Sequence, residues 1–171
     1  MEIERQWLMD KSVLERPEVK NSDYVAQITQ MYGQLNPEIR IRSKKYIVHG
    51  GRRLNLAENY YLTLKGNGNL SRIEVEKTIA YNDFLDLKKL FNITQDPITK
   101  TLWSVVLPGG QVLEVNLVDE GKPTEFVYAE IEFDDAHEAN YFETPDWFGK
   151  EVTYDGYYKM KNFWNRTRLN K

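Results

Sequence analysis

The chain has 171 residues, no cysteine, 23 basic against 26 acidic side chains and a net charge of -3, which excludes a disulfide framework, thiolate-bound zinc and a cysteine nucleophile. Its 41% hydrophobic and 13% aromatic content reads as one folded domain over 1–171 rather than a disordered chain. The acidic balance gives no global field for nucleic acid and no apolar run is long enough to cross a bilayer, so the expectation is a cytoplasmic protein with no nucleic-acid and no membrane partner.

In chain order, alternation predicts strands over residues 2–8 and 38–48, with a helix between them over 23–31 that turns Val25, Ile28 and Met31 inward. A mobile loop is expected over 52–58, then strands over 59–66 and 71–79 joined by the Gly66-Asn67-Gly68-Asn69 turn. A helix over 83–91, capped by Asn82, aligns Phe84, Leu87, Leu90 and Phe91 on one stripe. Strands follow over 97–107 and 111–118, joined at Pro108-Gly109-Gly110, and over 126–134. Weaker helical patterns cover 136–142 and 163–169, and a short strand is expected near Glu151. The sum is an α+β chain without internal repeats.

Residues two apart in a strand share a face. Glu2, Glu4 and Gln6 therefore oppose Ile3 and Trp7, and Arg40, Arg42 and Lys44 oppose Ile39 and Ile41. Tyr61, Thr63 and Lys65 oppose Leu62 and Leu64; Arg72, Glu74 and Glu76 oppose Ile73 and Val75. Glu114 and Asn116 lie opposite Leu113 and Val115, as Glu130 and Glu132 lie opposite Ala129 and Ile131. One such strand describes a half-exposed sheet, whereas six suggest an eight-stranded antiparallel barrel or tunnel with a charged interior and helices over its apolar outside.

That interior would gather Glu2, Glu4, Glu74, Glu76, Glu114, Glu130 and Glu132 against Arg40, Arg42, Lys65, Arg72 and Lys100. Burying so many ions is tolerable only if they stay wet, pair, or bind ligands. Clustered carboxylates suit Mg²⁺ or Mn²⁺, and spaced Arg and Lys suit phosphate oxygens, so the pattern fits a metal-phosphate complex.

Taken in order, Glu2-Ile3-Glu4-Arg5-Gln6, Gln30-Met31-Tyr32, Arg40-Ile41-Arg42, Thr63-Leu64-Lys65-Gly66, Arg72-Ile73-Glu74-Val75-Glu76, Ala129-Glu130-Ile131-Glu132-Phe133 and the stretch from Pro145 through Trp147, Gly149 and Glu151 to Thr153 resemble the motifs of the CYTH superfamily, the triphosphate tunnel metalloenzymes. The resemblance spans the chain. It implies an eight-stranded tunnel and Mg²⁺- or Mn²⁺-dependent cleavage of inorganic or organic triphosphates, or cyclisation of ATP. By the same resemblance Glu2, Glu4, Glu130 and Glu132 would hold metal, with Glu114 beside them. Arg40, Arg42, Lys65, Arg72 and Lys100 would hold phosphates. Glu74 and Glu76 would orient those bases or a second metal.

The resemblance departs from the family at three places. Gln6 stands where the signature has lysine, which removes a charge and any acid/base pairing with Tyr32, the other candidate catalytic residue. Leu102 replaces an arginine and Asn116 an acid. Lys44 or Lys45 could compensate. Two functions fit: a triphosphatase acting on inorganic or nucleoside triphosphate, or a phosphate- or polyphosphate-binding domain without turnover. An adenylyl cyclase is a third, disfavoured because Met1 leaves no room for the histidine-bearing extension of cyclase relatives. A homodimer is left open.

Outside the tunnel pattern, Lys44-Lys45-Tyr46 is a thin nucleic-acid signal and His137 reads as a surface residue. Lys159, Lys161, Arg166, Arg168 and Lys171, interleaved with Tyr157, Tyr158, Phe163 and Trp164, read as a helix packing its aromatic side on the barrel.

Overall fold

The computed structural model describes residues 1–54 and 56–170; Asn55 of the expected loop and Lys171 of the C-terminal basic group lie outside the described residues. The strands are β1 (Glu2–Met9), β2 (Tyr24–Leu35), β3 (Glu38–His49), β4 (Arg52–Arg53), β5 (Asn59–Lys65), β6 (Ser71–Arg72), β7 (Glu74–Ile79), β8 (Ile98–Val106), β9 (Val112–Val118) and β10 (Phe126–Glu132). Among the described residues four α-helices accompany them: α1 (Pro17–Lys20), α2 (Tyr81–Leu90), α3 (Ala136–Tyr141) and α4 (Met160–Trp164), the last running into a wide turn over Asn165–Leu169. None of the described helices is long and apolar enough to cross a membrane.

All ten strands belong to one antiparallel sheet in the order β6-β1-β10-β9-β8-β2-β3-β5-β7, with β4 attached to β3. β6 and β7 end the path on opposite sides yet are consecutive in the chain, separated only by Ile73, so the sheet curls round into a nearly closed barrel. The path therefore has nine strands where eight were expected, because the stretch 71–79 is broken at Ile73: its first part pairs with β1 and its second with β5.

Beyond its short contact with β6, the β1 edge is covered by the segment that carries Gly149. Leu8 N–H donates to Lys150 O at 2.8 Å and Val152 N–H donates to Gln6 O at 2.8 Å. A Cβ on Gly149 would collide with the Leu8 carbonyl oxygen, so glycine there is a requirement of close backbone approach. Arg5 grips Glu151 with two bonds of 2.7 and 2.8 Å. This segment makes only an isolated bridge between Trp7 and Glu151, not the short strand expected there. Its effect is to satisfy an edge that would otherwise stay open.

Three other expectations are corrected. Residues 23–31 form the first part of β2 rather than a helix, since β2 is buried on both faces and its apolar residues satisfy a three-residue spacing by chance. Its β-branched Val25, Ile28 and Thr29 favour the extended form. On its outer side Gly33 makes room for the Phe91 ring, which a Cβ would strike. The N-cap position of α2 is Ala80, so Asn82 lies inside the first turn and does not cap it, and Leu90 is exposed rather than part of the buried stripe. Helices cover only part of the outer wall: Leu64, Ile73 and Val75 on the β5–β7 side remain exposed.

Two apolar clusters frame the barrel. One lies outside β1, β8, β9 and β10, where Trp7, Leu113, Val115 and Ile131 pack on Val13, Val19, Ala139 and Phe148. The other joins Phe84 of α2 and Phe163 and Trp164 of α4 to Tyr32, Ile98, Val118 and Tyr128. The Trp164 and Tyr32 rings lie 5.9 Å apart and those of Phe163 and Phe126 5.1 Å apart, so α4 closes the barrel end where these residues meet. That closure accounts for Phe163 and Trp164 of the C-terminal aromatic row, whereas Tyr157 stays exposed under Arg166.

Candidate functional site

Inside the barrel, between the α4 end and the opposite rim, is a cavity of about 230 Å³. It is lined by every candidate site residue expected from the sequence: Glu2, Glu4, Gln6, Tyr32, Arg40, Arg42, Lys65, Arg72, Glu74, Glu76, Lys100, Glu114, Glu130 and Glu132. The alternation of the strands places them there. Glu4 and Gln6 face Glu132 and Glu130 across β1–β10, and Lys65 faces Glu74 across β5–β7.

On one side the charges neutralise each other. Lys65 Nζ lies 2.8 Å from Glu2 and 3.1 Å from Glu74, while Arg72 reaches Glu2 at 2.9 Å, Glu4 at 3.2 Å and Glu38 at 3.5 Å. Burial opposes ionisation of Glu2, but Lys65 and Arg72 outweigh it and hold its carboxyl at about 2. Arg40 Nη2 is 3.7 Å from Glu76.

The rest of the wall is not neutralised. Among the described residues Arg42, Lys44 and Lys100 make no ion pair, and neither do Glu114, Glu130 and Glu132. The Nε atoms of Arg40 and Arg42 are buried without a hydrogen-bond partner. Arg42 instead donates to Gln30 Oε1 at 3.2 Å, and Gln30 donates to the Tyr32 hydroxyl at 3.0 Å. Lys100 donates to the Tyr128 hydroxyl at 2.8 Å; burial, with Arg42 nearby, pushes its ammonium well below the usual lysine range. On the acidic side burial raises Glu130, with Glu114 adding to the effect, and burial raises Glu4, with Glu130 and Glu2 adding. Glu132 is raised by burial and then by Glu2, Glu74 and Glu4. One cavity thus holds cations without counter-ions on one wall and mutually repelling carboxylates on another.

Those carboxylates have the chemistry of a hard-cation site, since a bound cation would relieve the repulsion. Among the described residues no three acidic or histidine side chains are gathered closely enough to hold an ion as they stand, and Glu2 is engaged by Lys65 and Arg72.

The structure also brings in residues that spacing did not single out. Lys159, the residue before α4, is turned into the cavity, 3.7 Å from Glu4 Oε1 and within 3.4 Å of Asn69 O. Its neighbour Lys161 points elsewhere, to Leu35 O and Asn36 Oδ1, and nothing in the pattern of the C-terminal segment separates the two. Glu38 and Tyr128 line the cavity as well. Lys44, read from the sequence as a compensating charge, lines the same wall of the cavity.

The three departures are all buried. Gln6 donates from Nε2 to Tyr158 O at 3.4 Å, Leu102 contacts the cavity, and Asn116 donates to Glu114 O at 3.2 Å while its own Oδ1 lacks a donor. Tyr32 is buried, and that burial followed by Glu38 raises its hydroxyl above the usual tyrosine range.

No family model matches the chain. An inorganic triphosphatase from Nitrosomonas europaea is 39% identical over 103 residues, which span 60% of this chain and 66% of that protein. Among solved structures, the crystal structure of an inorganic triphosphatase superposes with a TM-score of 0.56 at 26% identity, covering 95% of this chain and 93% of the other. A protein from Pyrococcus horikoshii OT3 superposes with a TM-score of 0.56 over 82% of each chain at 18% identity, which speaks for the fold alone. The antiparallel, nearly closed barrel is therefore the fold of an inorganic triphosphatase.

Proposed function

We propose that the chain belongs to the CYTH superfamily and is a triphosphatase, cleaving a terminal phosphoanhydride of inorganic or organic triphosphate within its barrel. The observation that carries this reading is the convergence of unpaired cations and mutually repelling carboxylates on one cavity. The similarity to inorganic triphosphatases supports it.

In this reading Arg40, Arg42, Lys65, Arg72, Lys100 and Lys159 take phosphate oxygens, the arginines presenting forked donors that can bind two oxygens at once. A phosphate anion beside Lys100 would offset the burial and the neighbouring Arg42 that hold its ammonium below the usual lysine range. Glu4, Glu130 and Glu132, with Glu114, would hold Mg²⁺ or Mn²⁺, which when bound supplies charge neutralisation on the phosphate chain. Water attacks the terminal phosphorus in line, the bridging P–O bond breaks with its electron pair going to the departing diphosphate, and the water's proton passes to a phosphate oxygen. The cation wall stabilises that leaving group as its charge grows. Glu74 and Glu76 keep Lys65 and Arg40 oriented.

Phosphate release from a panel of triphosphates with Mg²⁺, with Mn²⁺ and with EDTA tests this. The expected outcome is release that requires metal and fails on diphosphates; a blank panel rejects turnover. The second reading is a domain that binds triphosphate or polyphosphate without cleaving it. Gln6 and Leu102 favour it, because both are buried at the cavity where the family resemblance places cations. Calorimetric binding without product would decide for it.

A further inference from the structure

The inner face of β3 does not stop at its charged residues. Along it Arg40, Arg42 and Lys44 are followed by Tyr46, and the register pairs Tyr46 with Ala26 of β2, which in turn pairs with Leu102 of β8. Tyr24, two residues from Ala26 on the same face, completes the layer at the rim remote from α4, where it pairs with His49 and Ser104. The three rings form one cluster: Tyr24 and His49 are 4.9 Å apart, Tyr46 and His49 5.2 Å, Tyr24 and Tyr46 6.4 Å, all edge to face. Lys44, a cavity residue, lies with its ammonium 4.9 Å from the Tyr46 ring centre and so joins the charged wall to the aromatic rim.

Resting on the reading of the cavity as a triphosphate site, we infer that this rim binds the base of a nucleoside triphosphate, so that the substrate is a nucleotide rather than inorganic triphosphate. The layer of Ala26, Leu102 and Tyr46 is apolar where the layers below it are ionic, which suits a flat heterocycle and not another phosphate. Leu102, a lost phosphate contact when judged by the charge pattern, becomes part of the apolar floor under that ring. Tyr46 lies four residue steps beyond Arg42, about 13 Å of strand. Inorganic triphosphate held at Arg42 leaves the rim untouched, whereas a sugar between phosphates and base bridges the gap with Lys44 alongside.

Calorimetric titration of ATP and of inorganic triphosphate into the wild type, Tyr46→Ala, Tyr24→Ala and Tyr46→Phe tests the inference, with thermal melts checking that each variant is folded. The wild type should bind ATP more tightly than inorganic triphosphate. Tyr46→Ala and Tyr24→Ala should each weaken ATP about tenfold, the loss expected for a stacked base, while inorganic triphosphate stays within about twofold and Tyr46→Phe keeps wild-type ATP affinity. Equal affinity of the wild type for both ligands, or equal loss of both in the alanine variants, overturns the rim as a base site while leaving the cavity reading intact. Failure of the wild type to bind either ligand overturns the cavity reading, and the inference with it. Should one alanine variant not fold, the other, on a different strand, gives the same comparison.

Discussion

Arg168 is the clasp that holds the C-terminal segment on the barrel. Its guanidinium donates to both carboxylate oxygens of Asp119, at 2.6 and 2.9 Å, and also to Asp96 O, Pro97 O and Thr167 Oγ1. The two side chains are 7% and 0% exposed, so the pair is desolvated. Replacing Arg168 with Met keeps most of the stem but leaves a buried carboxylate with only Thr99 N–H and the Thr124 hydroxyl as donors. Removing one partner of such a pair costs about 3–5 kcal/mol. For a chain of this size that corresponds to a fall in Tm of about 6–20 °C. Arg168→Lys keeps the charge but loses the fork and should recover less than half of the difference. Burial works against ionisation of Asp119, yet the bonds from Arg168 and Thr124 keep its carboxyl below the ordinary 3.8. The folded state therefore binds fewer protons, and the gap between wild type and Arg168→Met should be full above about pH 4 and shrink as the pH falls below it. Urea unfolding followed by circular dichroism across that pH range measures this. The double variant Arg168→Met/Asp119→Asn should lose at least about 1 kcal/mol less than the two single losses added together. A single-variant loss under about 1 kcal/mol, or strict additivity, would refute the clasp.

Three further outcomes are expected. Lys159→Met should weaken inorganic triphosphate at least about tenfold by calorimetry, the scale of one charge-assisted hydrogen bond, and unchanged affinity would remove Lys159 from the site. Gln6→Lys places an ammonium beside Glu130 of the neighbouring strand and should raise the rate of phosphate release; no increase would show that the missing lysine is not what limits turnover. Gly149→Ala forces a Cβ against the Leu8 carbonyl and should cost about 1–3 kcal/mol in urea unfolding, without which the close approach is not a constraint.

The barrel and its charged lining were legible in the sequence because a strand alternates with a period of two whatever its surroundings. Glu2, Glu4 and Gln6, or Arg40 and Arg42, share a face as soon as the stretch is extended, and which face points inward depends on where Ile3, Trp7 and Ile41 can be buried. The same rule fails where both faces are covered. In β2 the outward Met31 packs with the cluster that includes Phe84 of α2, while inward Tyr32 lines the cavity and inward Gln30 is buried behind it between Tyr32 and Arg42, so no polar alternation marks the strand and a helical spacing fits by accident. Breaks were equally hidden: the interruption at Ile73 depends on which neighbour each half of 71–79 meets across the barrel, a long-range outcome with no local signature.

Lys159 shows why a cavity lining can stay incomplete in a sequence even when the strand alternation is read correctly. A strand residue inherits its direction from the pleat, but a residue at the start of a short helix is aimed by the packing of the helix itself. Here Phe163 and Trp164 bury against Phe126 and Tyr32, and Arg168 anchors the far end on Asp119. Lys159 points at Glu4 because those contacts fix the helix, not because of any neighbour in sequence. The closing helix and the cavity are then one device: the apolar contacts that seal the barrel also deliver a cation to the acidic wall. Loosening the clasp at Arg168 should therefore weaken triphosphate binding through Lys159, although Arg168 itself is absent from the cavity lining.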